Sequence, residues 1–79
     1  MTKITYKPLW KKLIERGMTK TQLRIAVGFS TATLASLSKD KLVSLDLLLK
    51  ICDYLNVTLS EVAESYKKEY IQGSLFENE

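Results

Sequence analysis

No histidine occurs in this chain, and cysteine (Cys52) and proline (Pro8) occur once each. Without histidine, the usual general base and the commonest metal ligand are missing. A single cysteine closes no internal disulfide and builds no zinc site, which fits a reducing cytoplasm. No apolar run approaches the roughly 20 residues of a membrane span. The opening MTKITYKPLW lacks the continuous apolar stretch of a secretory signal. There is no nucleophile–base pair, no paired carboxylates and no glycine-rich phosphate loop, so an enzyme is the least favoured class. No cofactor, metal or small-molecule ligand is expected. What remains is 79 residues, 46% hydrophobic and 27% charged, which is enough for one ordinary globular domain. A core that small is marginal, and dimerisation would help to stabilise it.

Acidic side chains are scarce in the first half. Through Lys41 the chain has nine Lys/Arg against two acids, a balance of +7; from Leu42 onward it has three lysines against seven acids, a balance of −4. Such a division suits one face turned to a polyanion and another turned to solvent or protein. On charge alone, a solvated surface with chance clustering is slightly favoured, because small domains fluctuate this much by chance.

Strand signals are also few, because the only alternation, Ile4-Thr5-Tyr6, is too short to build a sheet. Capping residues and helical spacing predict five helices instead. Pro8 suits a first turn, and Leu9, Trp10, Leu13 and Ile14 form a stripe that ends at Gly17, a left-handed cap. Thr19 and Gln22 make a capping box ahead of Leu23, Ala26 and Val27, and Gly28 stops that helix. Ser30 caps a third helix with Leu34 and Leu37 inward. Ser44 caps a fourth, in which Leu45, Leu48, Ile51, Cys52 and Leu55 recur at helical spacing, and Asn56 ends it. Thr58 and Glu61 make a second box, opening a fifth helix with Leu59, Val62, Ala63 and Tyr66 on one side. Beyond Tyr70 the periodicity is lost and the chain is expected to fray.

Two short helices joined by Gly28-Phe29-Ser30 make a helix-turn-helix by spacing alone. The stretch Met18-Thr19-x-x-x-Leu23…Gly28-Phe29-Ser30-x-x-x-Leu34-x-x-Leu37 resembles the lambda-repressor-like (Cro/repressor-type, XRE-type) helix-turn-helix family. The likeness continues through Ser44-Leu45-x-x-Leu48-x-Lys50-Ile51-x-x-x-Leu55-Asn56-Val57-x-Leu59 and covers roughly residues 8–64. It implies an all-α, five-helix domain over residues 1–66. Residues 67–79 are expected to form the end of the last helix and a tail, dimerising or partly disordered. It also implies sequence-specific binding of double-stranded DNA, usually as a dimer and usually to regulate transcription; the expectation here is a cytoplasmic transcriptional regulator, a repressor, that forms a homodimer through its C-terminal helices. The alternative is a helix-turn-helix interaction module, an antitoxin or adaptor, with weak or no DNA binding.

The second helix of such a pair fits the major groove. Facing Leu34 and Leu37 inward puts Ala32, Ser36 and Lys39 on the opposite side of the recognition helix, about residues 31–38. By motif position, the resemblance assigns base contacts to Thr31, Ala32 and Ser36. It assigns phosphate contacts to Lys20, Ser30 and Lys39, with Thr33, Arg24 and Lys41 as further candidates. Helix N-termini attract phosphate independently of any family, which supports Lys20 and Ser30. Between Thr31 and Ser38 there is no Arg, Asn or Gln, so the strong bidentate contacts to guanine or adenine are missing. Affinity should therefore come mainly from phosphates, with a modest preference for thymine methyl groups.

Two residues depart from the family pattern. Arg24 stands where a small residue is usual; its guanidinium should turn outward, either as a phosphate clamp with Lys20 or as a solvated charge. Asp40 stands where glycine is common, an acid placed unfavourably near phosphates between Lys39 and Lys41. Trp10, Tyr6 and Cys52 read as core rather than as stacking or reactive groups. Lys11 and Lys12 are read as solvated sooner than as backbone contacts. Ile25, Leu47, Tyr54, Tyr66, Tyr70, Leu75 and Phe76 are more apolar surface than one small core needs, which favours a partner on the acidic side.

Overall fold

A computed structural model describes residues 2–67 of the chain. Four helices follow a short strand β1 (Thr2–Thr5): α1 (Lys7–Glu15), α2 (Lys20–Val27), α3 (Thr31–Ser38) and α4 (Leu45–Leu55). A 3₁₀ turn (Leu59–Glu61) and a strand β2 (Glu64–Lys67) complete it. Among the described residues no helix is long and apolar enough to cross a membrane.

The helix boundaries lie where local chemistry puts them. Pro8 occupies the first turn of α1, where its missing N–H deprives no carbonyl of a partner. At the start of α2, Thr19 Oγ1 accepts the Gln22 N–H at 3.1 Å while Gln22 Oε1 accepts the Thr19 N–H at 2.8 Å, so both halves of the capping box are made. Gly28 ends that helix at φ 92°, a left-handed conformation that side chains other than glycine resist. Ser30 and Ser44 cap α3 and α4 by accepting the N–H of Thr33 and of Leu47, each at 3.1 Å. Asn56 closes α4 at φ 58°.

Every helix contributes to one core. Tyr6, Leu9, Leu13, Leu23, Leu37, Leu48, Ile51, Cys52, Leu55 and Val62 are buried together. Several positions differ from the helical stripes expected of them. Ile14 is 78% exposed, because Leu9 and Leu13 already define the inward face of α1 and Ile14 lies about 100° round from Leu13. In α2 only Leu23 is fully buried, with Val27 half-buried and Ala26 exposed; Leu34 in α3 is half-buried, and Leu45 faces out at the start of α4.

Among the described residues the fifth helix does not form. The Thr58–Glu61 box is present, with Glu61 Oε1 accepting the Thr58 N–H at 2.9 Å, but it opens a single 3₁₀ turn. Val62 then closes the core, and the chain extends from Glu64. β2 pairs antiparallel with β1 in the register Thr2–Lys67, Lys3–Tyr66, Ile4–Ser65 and Thr5–Glu64. The fold is thus mainly α with a two-stranded sheet, and Ile4 and Thr5, part of the alternation read as too short for a sheet, lie in one of its strands. A local cap starts either a helix or a turn; here the ladder offered by β1 decides. Tyr66 is accordingly an exposed strand residue, not part of a buried helical stripe. The expected helix end and tail beyond Lys67 lie outside the described residues, as do Tyr70, Leu75 and Phe76.

The end of α3 is fastened to the start of α1. Lys41 N–H bonds Ser36 O at 2.9 Å and Asp40 N–H bonds Leu37 O at 3.2 Å, a Schellman closure in which Asp40 takes the left-handed position at φ 56°. Its carboxylate accepts the Tyr6 N–H at 3.1 Å and the Thr5 hydroxyl at 3.4 Å, and the Tyr6 hydroxyl donates to Lys41 O at 2.8 Å. Asp40, expected to be an unfavourable acid near phosphates, is therefore a structural acceptor at the N-terminus of α1, where the helix dipole favours negative charge.

Asp40→Ala should lower unfolding free energy in urea by about 2–3 kcal/mol, since it removes a charged acceptor and keeps a left-handed side chain. Asp40→Gly loses the same bonds but relieves the backbone, so its deficit should be about 1 kcal/mol smaller; equal losses would show that the conformation is unstrained.

Burial pushes the Tyr6 phenol above its usual 10.0, and the Asp40 charge acts in the same direction. A raised folded pKa stabilises the protonated form, so the contribution is complete below about pH 10 and disappears as pH rises through the folded value. Tyr6→Phe should lower stability at neutral pH by about 1 kcal/mol and shrink the alkaline loss, measured by urea titration across that range. An unchanged alkaline limb would exclude Tyr6 as its source.

Candidate nucleic-acid interface

The surface around α3 is built by the Gly28–Ser30 turn. Gly28 N–H returns to Arg24 O at 2.8 Å and Phe29 N–H to the same carbonyl at 3.2 Å, reversing the chain within three residues. Phe29 packs against the core from the middle of the turn, and Ser30 opens α3. The Ser30 hydroxyl also lies 2.9 Å from the Thr33 hydroxyl, so the first turn of α3 carries a small cluster of hydroxyl groups.

Arg24 does not turn freely outward as its position suggested. It is half-buried, and its Nη1 donates to Phe29 O at 3.2 Å, which ties α2 to the turn. One of the five guanidinium donors is engaged in this way. Where the pattern favours a small residue, the arginine stem packs along the surface and the head supports a carbonyl that the sharp turn leaves unpaired.

Lys20 is held from two sides. Its Nζ stands 4.1 Å from the centroid of the Trp10 ring and donates to Ser38 Oγ at 3.2 Å, so one ammonium links α1, α2 and the far end of α3. Trp10 is half-buried against the core and supplies the ring face for this contact. Lys39 and Lys41 are exposed on either side of Asp40. Lys12 is engaged elsewhere, 3.6 Å from Glu15 and 3.7 Å from Glu61. The Glu61 carboxyl is held below the usual carboxylate range, chiefly by the Thr58 N–H and further by Lys12.

Along α3, Thr31 and Ala32 are exposed, and Thr33 and Ser36 are half-buried. Ala32, Thr33 and Ser36 line one wall of an open cleft of about 430 Å³, and Leu42 and Ser44 line the other. The structure therefore brings Thr33, Ala32 and Ser36 together on one wall, joins Lys20 to α3 through Ser38, and leaves Arg24 in the turn. Two features escaped sequence reasoning. The Lys20–Trp10 contact joins residues whose helical stripes, read separately, point to different purposes. The Asp40–Tyr6 clasp spans more than thirty residues, and no local signal marks it. Among the described residues no group of three or more His, Cys, Asp or Glu side chains is arranged to hold a metal ion.

A model of the Cro/C1-type HTH DNA-binding domain matches residues 8–68. Among solved structures, the crystal structure of the transcriptional regulator VanUg is similar, with 45% sequence identity over 85% of this chain and 89% of that one, at a TM-score of 0.82. No curated protein matches.

Proposed function

Since the chain belongs to the Cro/C1-type helix-turn-helix DNA-binding family, we propose that it is a sequence-specific, double-stranded-DNA-binding transcriptional regulator that represses by occupying its site. The observation that carries this reading is α3 itself, an eight-residue helix opened by a capped turn and accompanied by the cations of Lys20, Lys39 and Lys41. In the major groove, Thr31, Ala32 and Ser36 meet base edges. Lys20, Arg24, Ser30, Thr33, Lys39 and Lys41 meet phosphates, Ser30 and Thr33 at the helix N-terminus and Arg24 with the donors that Phe29 leaves unused. The similar regulator VanUg supports the assignment to transcription. The setting proposed is the cytoplasm.

A homodimer completes the reading. With no fifth helix among the described residues, the pairing elements on the C-terminal side become α4, the 3₁₀ turn and β2. There Leu45, Leu49 and Leu59 are 57%, 51% and 38% exposed. Ile4, Leu45, Leu48, Leu59 and Ala63 line an apolar groove on that side. A two-fold pair suits half-sites about 34 Å apart, one turn of DNA. Sedimentation equilibrium should show a dimer that Leu49→Glu converts to monomer; a wild-type monomer at DNA-binding concentrations would exclude it.

With four cationic side chains on phosphates, the logarithm of affinity should fall with the logarithm of salt at a slope of about −3.6 per protomer. Fluorescence anisotropy on a labelled duplex across a salt series measures this. Lys20→Ala should reduce the slope by about 0.9 while weakening all sequences alike. Absence of duplex binding at low salt would overturn the reading in favour of a protein-interaction module.

A further inference from the structure

Leu42 is the most exposed large apolar side chain among the described residues, at 82%. It is not on a loose loop. The preceding residue, Lys41, is fixed by its N–H to Ser36 O at 2.9 Å and by its carbonyl, which accepts the Tyr6 hydroxyl at 2.8 Å. The following residue, Val43, packs against the core, and Ser44 caps α4. Leu42 is therefore held outward between two anchored neighbours, and a leucine so held offers apolar area that only a docked partner can cover.

The surroundings identify that partner. Leu42 shares its cleft with Ala32 and Ser36, the residues assigned above to base edges. Lys41 immediately precedes Leu42 and Lys39 lies three residues before it, both exposed, while the charged residues of the cleft itself, Asp46 and Lys50, pair with each other at 3.3 Å, so a partner that covers Leu42 also meets two ammonium groups. A duplex provides both, with phosphate rails bordering apolar carbon in the thymine methyl and the deoxyribose. The recognition helix has no side chain capable of a bidentate base contact, so an apolar anchor next to it has a large share in discrimination.

Resting on the DNA-binding reading, we propose that Leu42 is a specificity-determining residue that packs on a thymine methyl of the duplex, beside the bases met by Ala32 and Ser36. The contact is uncharged. It contributes to affinity without releasing counterions, which separates it from every lysine contact in the interface.

The test uses the full chain and a duplex that the wild type selects from a randomised pool. Leu42→Ala should bind this duplex about tenfold more weakly, with a salt slope parallel to that of the wild type. Leu42→Met, which keeps apolar reach, should retain nearly all the affinity. Replacing thymines by uracil removes the methyl alone. It should weaken the wild type more than Leu42→Ala; equal effects on both would place Leu42 against the sugar, which every sequence shares, and would overturn the proposal. Wild-type affinity in Leu42→Ala would overturn the proposal while leaving the DNA-binding reading intact. So would an unchanged duplex affinity accompanied by altered self-association, because Leu42 would then belong to a protein interface. Failure of the wild type to bind any duplex is a separate result and removes the reading on which the proposal rests.

Discussion

The carboxylate of Asp40 binds the end of α3 to the start of α1, and the geometry of the interface depends on that fastening. A helix of eight residues has little stability of its own and keeps its orientation only through its contacts. At its N-terminus α3 has the Ser30 cap and the Phe29 plug. At its C-terminus it has the left-handed Asp40, with hydrogen bonds to the Tyr6 N–H and the Thr5 hydroxyl. Thr5 ends β1, whose ladder partner is β2, so the small sheet helps to place the residues that hold the far end of α3. A two-stranded ribbon is marginal in isolation. Here the buried Tyr6 follows one strand and the buried Val62 lies just before the other, which seats the ribbon on the core.

The same constraint bears on the electrostatics. An acid between two lysines in a cationic surface would ordinarily repel phosphate. Engagement of the Asp40 carboxylate by an N–H and a hydroxyl directs its negative charge toward the α1 terminus, while the exposed Lys39 and Lys41 side chains remain accessible to a polyanion. Lys20 is ordered beforehand against Trp10 and Ser38, so placing it against a phosphate loses less side-chain entropy than placing a free lysine would. The half-buried Arg24 has a double character: one donor maintains the turn, and the others remain for a ligand.

What could be read from the sequence was what is local. The caps at Thr19, Ser30, Ser44 and Thr58 and the left-handed positions at Gly17, Gly28 and Asn56 each depend on a few neighbouring residues, and all are present in the fold. So is the helix-turn-helix at residues 20–38. Features that depend on distant partners could not be read. Glu64–Lys67 becomes a strand because Thr2–Thr5 lies beside it, sixty residues away in sequence. Asp40 fits where glycine is common because Thr5 and Tyr6 reach it, and Arg24 folds inward because the Phe29 carbonyl needs a donor. Ile14 and Leu45 face outward for a different reason. A short amphipathic helix has several apolar residues within reach of its inward face, and only the packing of its neighbours decides which are covered.

On the proposed reading, the surface around α3 joins strong nonspecific attraction to weak individual readout. Hydroxyl and methyl groups on Thr31, Ala32 and Ser36 would form single or apolar contacts, each separating right from wrong bases by less than the roughly 1–3 kcal/mol of a bidentate pair. Lysine contacts to phosphate would bring every sequence to the surface alike. For such a reader, discrimination has to accumulate through number. Free energies of separate base contacts add when the contacts are independent, so a second half-site doubles the discrimination in energy and squares it in affinity ratio. The lattice of hydrogen bonds around Asp40 would then have a functional consequence. In the proposed homodimer, two weak half-sites would cooperate only if each α3 kept its angle to its own body, because a tilt in either protomer would misplace both sets of contacts together.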